Sequence, residues 1–177
     1  MDTDFFLAFF VGFIASAGAV VFVLIKLMKV RKPSEAELNA AGLPPLPQTP
    51  PSGQGLLYVL RPSRFGFAIS FGINLDDRTA AGEVAKFKGH QYVAIPIEPG
   101  RHTLFVKTLE NAAEAPFEIQ AGQAVGFLVT PTWGAIVAHA KIEALDERAA
   151  RFYAHGLSQG SYGRAPANGV RYSPAPH

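Results

Sequence analysis

Hydrophobic and polar positions divide the chain into three regimes. From Phe5 to Ile25, "FFLAFFVGFIASAGAVVFVLI" runs for 21 residues without a charge. As a helix such a run covers about 30 Å, the depth of bilayer hydrocarbon. From Leu56 to Leu145 the period shortens to two. Phe67, Ile69, Phe71, Ile73 and Leu75 alternate with Ala68, Ser70, Gly72 and Asn74, which sets large apolar groups on one face of a half-buried strand. Beyond Gly156 the periodicity disappears into Gly, Ser and Pro.

Strand-like segments also occupy 56–61, 82–87, 91–97, 102–109, 116–120, 124–130 and 135–145. Asp76-Asp77, Lys88-Gly89, Glu98-Pro99-Gly100, Ala121-Gly122 and Pro131-Thr132-Trp133-Gly134 separate them as turns. The pattern predicts a mainly β fold, an antiparallel β-sandwich of about seven to eight strands, with one N-terminal transmembrane helix and a short C-terminal helix. That last helix should start at an Asp146 cap and stop at Gly156.

The division expected is 1–32, transmembrane helix and basic flank; 33–55, Pro-rich linker with a short helix; 56–156, β-sandwich domain; and 157–177, a Gly/Ser/Pro-rich tail that by itself should be disordered. In the linker, Ser34 and Glu37 make an S-x-x-E capping box for a helix at 35–41. Pro44, Pro45, Pro47, Pro50 and Pro51 then favour an extended, semi-rigid spacer that holds the body off the membrane or lies across a partner.

The apolar run reads as a retained span. A cleaved export signal needs a basic leader and a shorter apolar core, whereas Asp2 and Asp4 precede this run and apolar residues continue past Ala15-Ser16-Ala17. Lys26, Lys29, Arg31 and Lys32 form a basic cluster at the membrane interface, suited to anionic lipid headgroups. The positive-inside rule then puts the N-terminus outside and the C-terminal domain in the cytoplasm, as a single-pass protein of the inner membrane. Ala8, Gly12 and Ser16, with Ala15 and Ala19 beside them, give the helix a flat face on which another helix packs closely. Small-residue spacing also occurs in spans without any contact, so both readings stand.

Charge narrows the function. The net charge is +2, yet residues 56–156 hold ten Lys/Arg against ten Asp/Glu. A neutral domain without a basic stripe argues against nucleic-acid binding. The chain has no cysteine, which removes disulfides, thiolate metal sites and Cys nucleophiles.

"LLYVLRPSRF" at 56–65, the acidic turn Asp76-Asp77 and "QYVAIPIEPGRHTLFVKT" at 91–108 resemble a bacterial envelope β-sandwich domain family of unknown function, found mainly in small lipoproteins. The second stretch is also similar to the P-G-x-H-T hairpin of PEGA and carboxypeptidase-regulatory-like modules. The resemblance covers roughly 55–145 and implies a sandwich without catalytic residues. It also implies a periplasmic domain as the alternative location. The chain departs from the family in having a span where those proteins have a lipid-anchor cysteine.

Candidate chemistry is sparse. Gly156-Leu157-Ser158-Gln159-Gly160 matches G-x-S-x-G, but a nucleophile elbow needs its serine between a strand and a helix, and this one follows a helix. His90, His102, His139, His155 and His177 show no metal-ligand spacing, and Asp76/Asp77 and Asp146/Glu147 read as turn and cap. Arg61, Arg64 and Trp133 are the candidate contacts, the two arginines for an anionic group, although a solvated strand end is the plainer reading of both. The expectation is a non-catalytic, cofactor-free accessory subunit of an integral membrane protein complex, of respiratory or photosynthetic type. The alternative is a membrane-tethered binding module for glycan, peptide or lipid.

Overall fold

The computed structural model describes residues 30–39, 42–63, 69–108, 111–133 and 138–162. Within them, two five-stranded sheets face one another across a shared apolar core. The strands are β1 (Gly55–Arg61), β2 (Phe71–Leu75), β3 (Glu83–Phe87), β4 (Gln91–Ile97), β5 (Gly100–Lys107), β6 (Ala112–Ile119), β7 (Ala124–Trp133), β8 (Ala138–Leu145), β9 (Ser158–Gln159) and β10 (Ser161–Tyr162). One sheet has the order β8-β7-β1-β4-β9 and the other β10-β3-β2-β5-β6. Two helices accompany them, α1 (Glu35–Leu38) and α2 (Glu147–Ala154).

Alternation places the core. Phe71 and Ile73 of β2 point inward with Leu104 and Val106 of β5, and meet Leu57, Val59, Val93, Ile95 and Phe127 from the facing sheet. Local signals fix the helices. Ser34 and Glu37 close the predicted capping box on α1. The Asp146 carboxylate accepts from Ala149 N–H at 2.7 Å as the cap of α2, and Gly156 leaves the helix at φ +83°, a backbone that suits glycine.

Three expectations need correction. The sandwich is not wholly antiparallel: β1 runs parallel to β7 from Leu56↔Ala124 to Leu60↔Leu128, and β9 runs parallel to β4. Turn residues report only hairpin neighbours, whereas β1 pairs with a strand far along the chain. Its unbroken "LLYVL", buried at every position, is the mark of a strand covered on both faces. Second, residues 158–162 are not a loose tail. They form β9 on one sheet and β10 on the other, so the chain crosses from sheet to sheet and closes that side of the sandwich.

Third, the linker is not a free-standing extended spacer along its length: residues 30–48 pack on the body, as described below. No helix among the described residues is long and apolar enough to cross a membrane. The run 5–25, with Ala8, Gly12, Ala15, Ser16 and Ala19, and also Lys26 and Lys29, lies outside the described residues.

Candidate interaction surface

Because β1 alternates, Leu56, Tyr58 and Leu60 face away from the main core. There they build a second cluster with Tyr92, Ala94, Leu128 and the α2 residues Ala150, Tyr153 and Ala154. Helix and sheet approach closely at Gly126, where an added Cβ would lie 2.8 Å from that of Ala150. The rest of this outer face is covered by the linker, with Val30 and Leu46 packed against the cluster.

Polar contacts seat the linker. The Tyr153 hydroxyl donates to the Arg31 carbonyl at 3.1 Å, Lys32 meets Glu143 at 3.0 Å, and the Arg148 guanidinium donates to the Asn39 side chain at 2.6 Å. The Tyr58 hydroxyl binds the backbone of Gln48. The ion pairs are exposed and worth little. The seat therefore depends on the buried side chains and the two tyrosine hydroxyls.

This seat fixes where the chain joins the domain. Residues 31 to 39 run alongside α2 in the opposite direction, from Tyr153 back to Arg148. Val30 therefore lies by the C-terminal end of α2. At that end β1 finishes and β4 begins, since Arg61 pairs with Gln91, and Ser158 pairs with Gln91 in turn. We call it the Arg61 end. β7 continues there past its last β1 partner, Leu128, and finishes at Trp133. The other end holds the Asp76 and Asp77 turn, the β4–β5 and β6–β7 turns and the start of α2, and is called the Asp76 end.

Of the predicted contacts, Arg31 and Lys32 are exposed at the junction, and Trp133 closes β7 at the same end. Arg64 lies outside the described residues. Arg61 is a correction, because it is fully buried rather than a solvated strand end. Its guanidinium lies 4.1 Å over the Phe71 ring and donates to the Ile69 carbonyl at 2.8 Å. Burial lowers its pKa to about 10, so it is still a cation at neutral pH.

The Asp76 end carries the densest polar network. His102 Nδ1 meets the Asp76 carboxylate at 2.7 Å and Nε2 meets the Glu98 carbonyl at 2.8 Å. The other Asp76 oxygen accepts from Thr103 N–H at 2.7 Å, and Asp76 itself sits at φ +59°. Burial alone lowers the His102 pKa; the bond to Asp76, the Glu98 carbonyl and the two nearby carboxylates outweigh it, and the net shift is upward. A groove of about 600 Å³ opens beside this end, between Pro45–Pro50 and the residues Glu118, Val125, Asp146 and Arg151.

Ser158 donates its hydroxyl to the His90 carbonyl at 3.3 Å rather than to an imidazole. Among the described residues, no three His, Asp or Glu side chains are grouped to hold a metal ion. Sequence reasoning missed Tyr58, Tyr153 and Arg148 as seats for the linker. The available signal was a tyrosine hydroxyl inside otherwise apolar runs, a group that needs a partner when buried. No family model, curated protein or solved structure matches this chain.

Proposed function

We propose that this chain is a non-catalytic, single-span accessory subunit of a larger membrane protein complex, of respiratory or photosynthetic type. In this reading Phe5–Ile25 is the span, its small-residue face docks against another helix, and Lys26, Lys29, Arg31 and Lys32 meet anionic headgroups. The N-terminus is outside the inner membrane, and the sandwich, related to the envelope family it resembles, clamps the complex on the cytoplasmic side.

The observation that supports this best is the seating of residues 30–48 on the outer face of the first sheet. A flexible leash needs no seat, whereas a domain held in one orientation over a neighbour does. The alternative is a tethered binding module that uses the groove at the Asp76 end. No aromatic ring is among the described residues lining that groove, which offers a sugar no stacking surface, so the structural role is preferred. Mild-detergent purification of the full chain should recover it in a stoichiometric membrane complex; recovery only as a monomer would overturn the reading.

A further inference from the structure

We propose that β8 is a docking edge for a second copy of itself: two chains pair antiparallel through β8, centred on Ile142, and join their first sheets into one. The inference goes beyond the reading of the chain as an accessory subunit and does not depend on it.

The ladder shows which way the backbone of β8 points. Leu56 N–H donates to the Gln123 carbonyl at 2.9 Å, so in the parallel pair Val125 and Phe127 turn their polar groups toward β1, and the residues between them turn toward β8. Gly126, Leu128 and Thr130 therefore exchange hydrogen bonds with Leu145, Glu143 and Lys141. Pro131, which has no N–H to give, falls opposite Ala140 in the alternate pairs that exchange none. The N–H and C=O groups of Ala140, Ile142 and Ala144 are left pointing away from β7. β8 is the outermost strand of its sheet, and among the described residues no other backbone group bonds to these three.

The neighbouring edge is defended and this one is not. β6 ends the facing sheet, and Thr103 N–H turns away from it to Asp76. Its cross-strand partner Pro116 therefore takes an outward position on the β6 edge, where it offers no donor. β8 has no proline, and its outward groups belong to exposed Ala144 and half-buried Ala140 and Ile142. A strand edge of that kind is a template for another strand.

The edge fits itself. About a two-fold axis at Ile142, Ala140 meets Ala144 of the partner subunit and Ile142 meets its own counterpart, each pair exchanging two hydrogen bonds. Lys141 then stands directly opposite Glu143 of the partner subunit, and His139 opposite Leu145 of the partner subunit. Ile142 and Ala140 belong to the core side and Leu145 to the outer cluster, so Lys141 and Glu143 lie on the outer face. There Glu143 already meets Lys32 at 3.0 Å and Lys141 at 3.9 Å, and the partner adds a cation to the same carboxylate. Moving the axis to Lys141 or to Glu143 keeps the hydrogen bonds in phase but sets lysine against lysine or glutamate against glutamate, which is unfavourable. The charges thus choose one register. Such an axis is normal to the sheet, so both linkers stay on its outer face.

The chain has no cysteine, so introduced thiols report without background. Full chains carrying Lys141→Cys and Glu143→Cys, mixed in mild detergent and gently oxidised, should crosslink several-fold more than either chain alone, because only the mixture holds both thiols in one directly opposed pair. Ala144→Pro, added to both, removes an outward N–H without touching a bond to β7 and should abolish the crosslink. In chains without cysteine, Lys141→Glu should shift the protein toward monomer in native gels, and adding Glu143→Lys should restore the dimer. No crosslink in the mixture, equal crosslinking in the single variants, or a crosslink that survives Ala144→Pro would overturn the pairing. Loss of a different protein from the purified complex on Ala144→Pro, with no self-crosslink, would give the edge to another chain and likewise overturn the second copy as its occupant.

Discussion

The Tyr58 hydroxyl holds Gln48 from both sides, accepting from its N–H and donating to its carbonyl, each at 2.8 Å. The tyrosine is fully buried in the middle of β1, so the central strand of one sheet grips the linker directly. Tyr58→Phe keeps the ring and removes the grip. It should lower stability by about 1–3 kcal/mol in urea titration of the full chain in detergent, and speed proteolytic cleavage between Pro44 and Pro51. Unchanged cleavage would mean that the linker is held by packing alone.

Gly160 lets the chain cross between the sheets. A Cβ there would lie 2.9 Å from Val93 Cγ1 and 3.0 Å from both the Lys86 carbonyl and Phe87 Cβ. Gly160→Ala should therefore cost about 1–3 kcal/mol through overpacking, whereas Ser158→Ala, at an exposed position, should stay within about 0.5 kcal/mol of the parent. Thermal unfolding of both variants separates a structural glycine from a serine that matters. The reverse order would revive the G-x-S-x-G reading.

His102 should make stability depend on pH. Both ring nitrogens face acceptors, which favours the imidazolium, and the folded pKa is raised above 6.5. The contribution is thus complete below the unfolded value and is lost as pH rises through the raised folded value. Urea midpoints measured from about pH 6 to about pH 9 should fall for the parent. Asp76→Asn, which tolerates the left-handed backbone, should flatten that fall. An unaltered slope in the variant would remove His102 from the explanation.

Arg61 is a buried cation stacked on the core ring of Phe71 rather than a group that meets solvent. Arg61→Ala takes away the donor to the Ile69 carbonyl and uncovers the Phe71 face, and should cost about 1–3 kcal/mol. Arg61→Lys should recover little of that loss, since an ammonium reproduces neither the planar stack nor the fork of donors. Equal stability of the lysine variant and the parent would sink this account.

The small-residue face is tested by Gly12→Ile, which keeps the run apolar while filling its flattest position. If that face docks a helix, native gel migration should shift to a smaller species while carbonate resistance persists. An unchanged complex would assign the small residues to ordinary span composition.

What the sequence disclosed follows the range of each signal. The Ser34–Glu37 box, the Asp146 cap and the Gln91–Ile97 strand are written within a few residues, and they stand where the pattern put them. Mainly β content in two sheets followed from the period and the turns. The parallel β1–β7 pair, the linker on α2 and the closing strap at 158–162 each join segments far apart in the chain, and no turn residue announces such a pairing. The local traces were the unbroken apolar run of β1, since a strand with both faces covered needs something on its outer side, and the tyrosine hydroxyls set in apolar runs, which need partners when buried. Arg61 was misjudged because charge suggests solvent, while the Phe71 face that receives it is visible only once the strands are paired.

The parallel pairing of β1 sets an order of events during synthesis. β1 meets no lateral partner until β4 is made, its other edge waits for β7, and the linker gains its seat only when α2, residues 147–154, has emerged. Such distant contacts form late. Residues 30–48 are therefore still slack while the strands of the first sheet are being made, and the domain tightens onto its own linker only once α2 can pack.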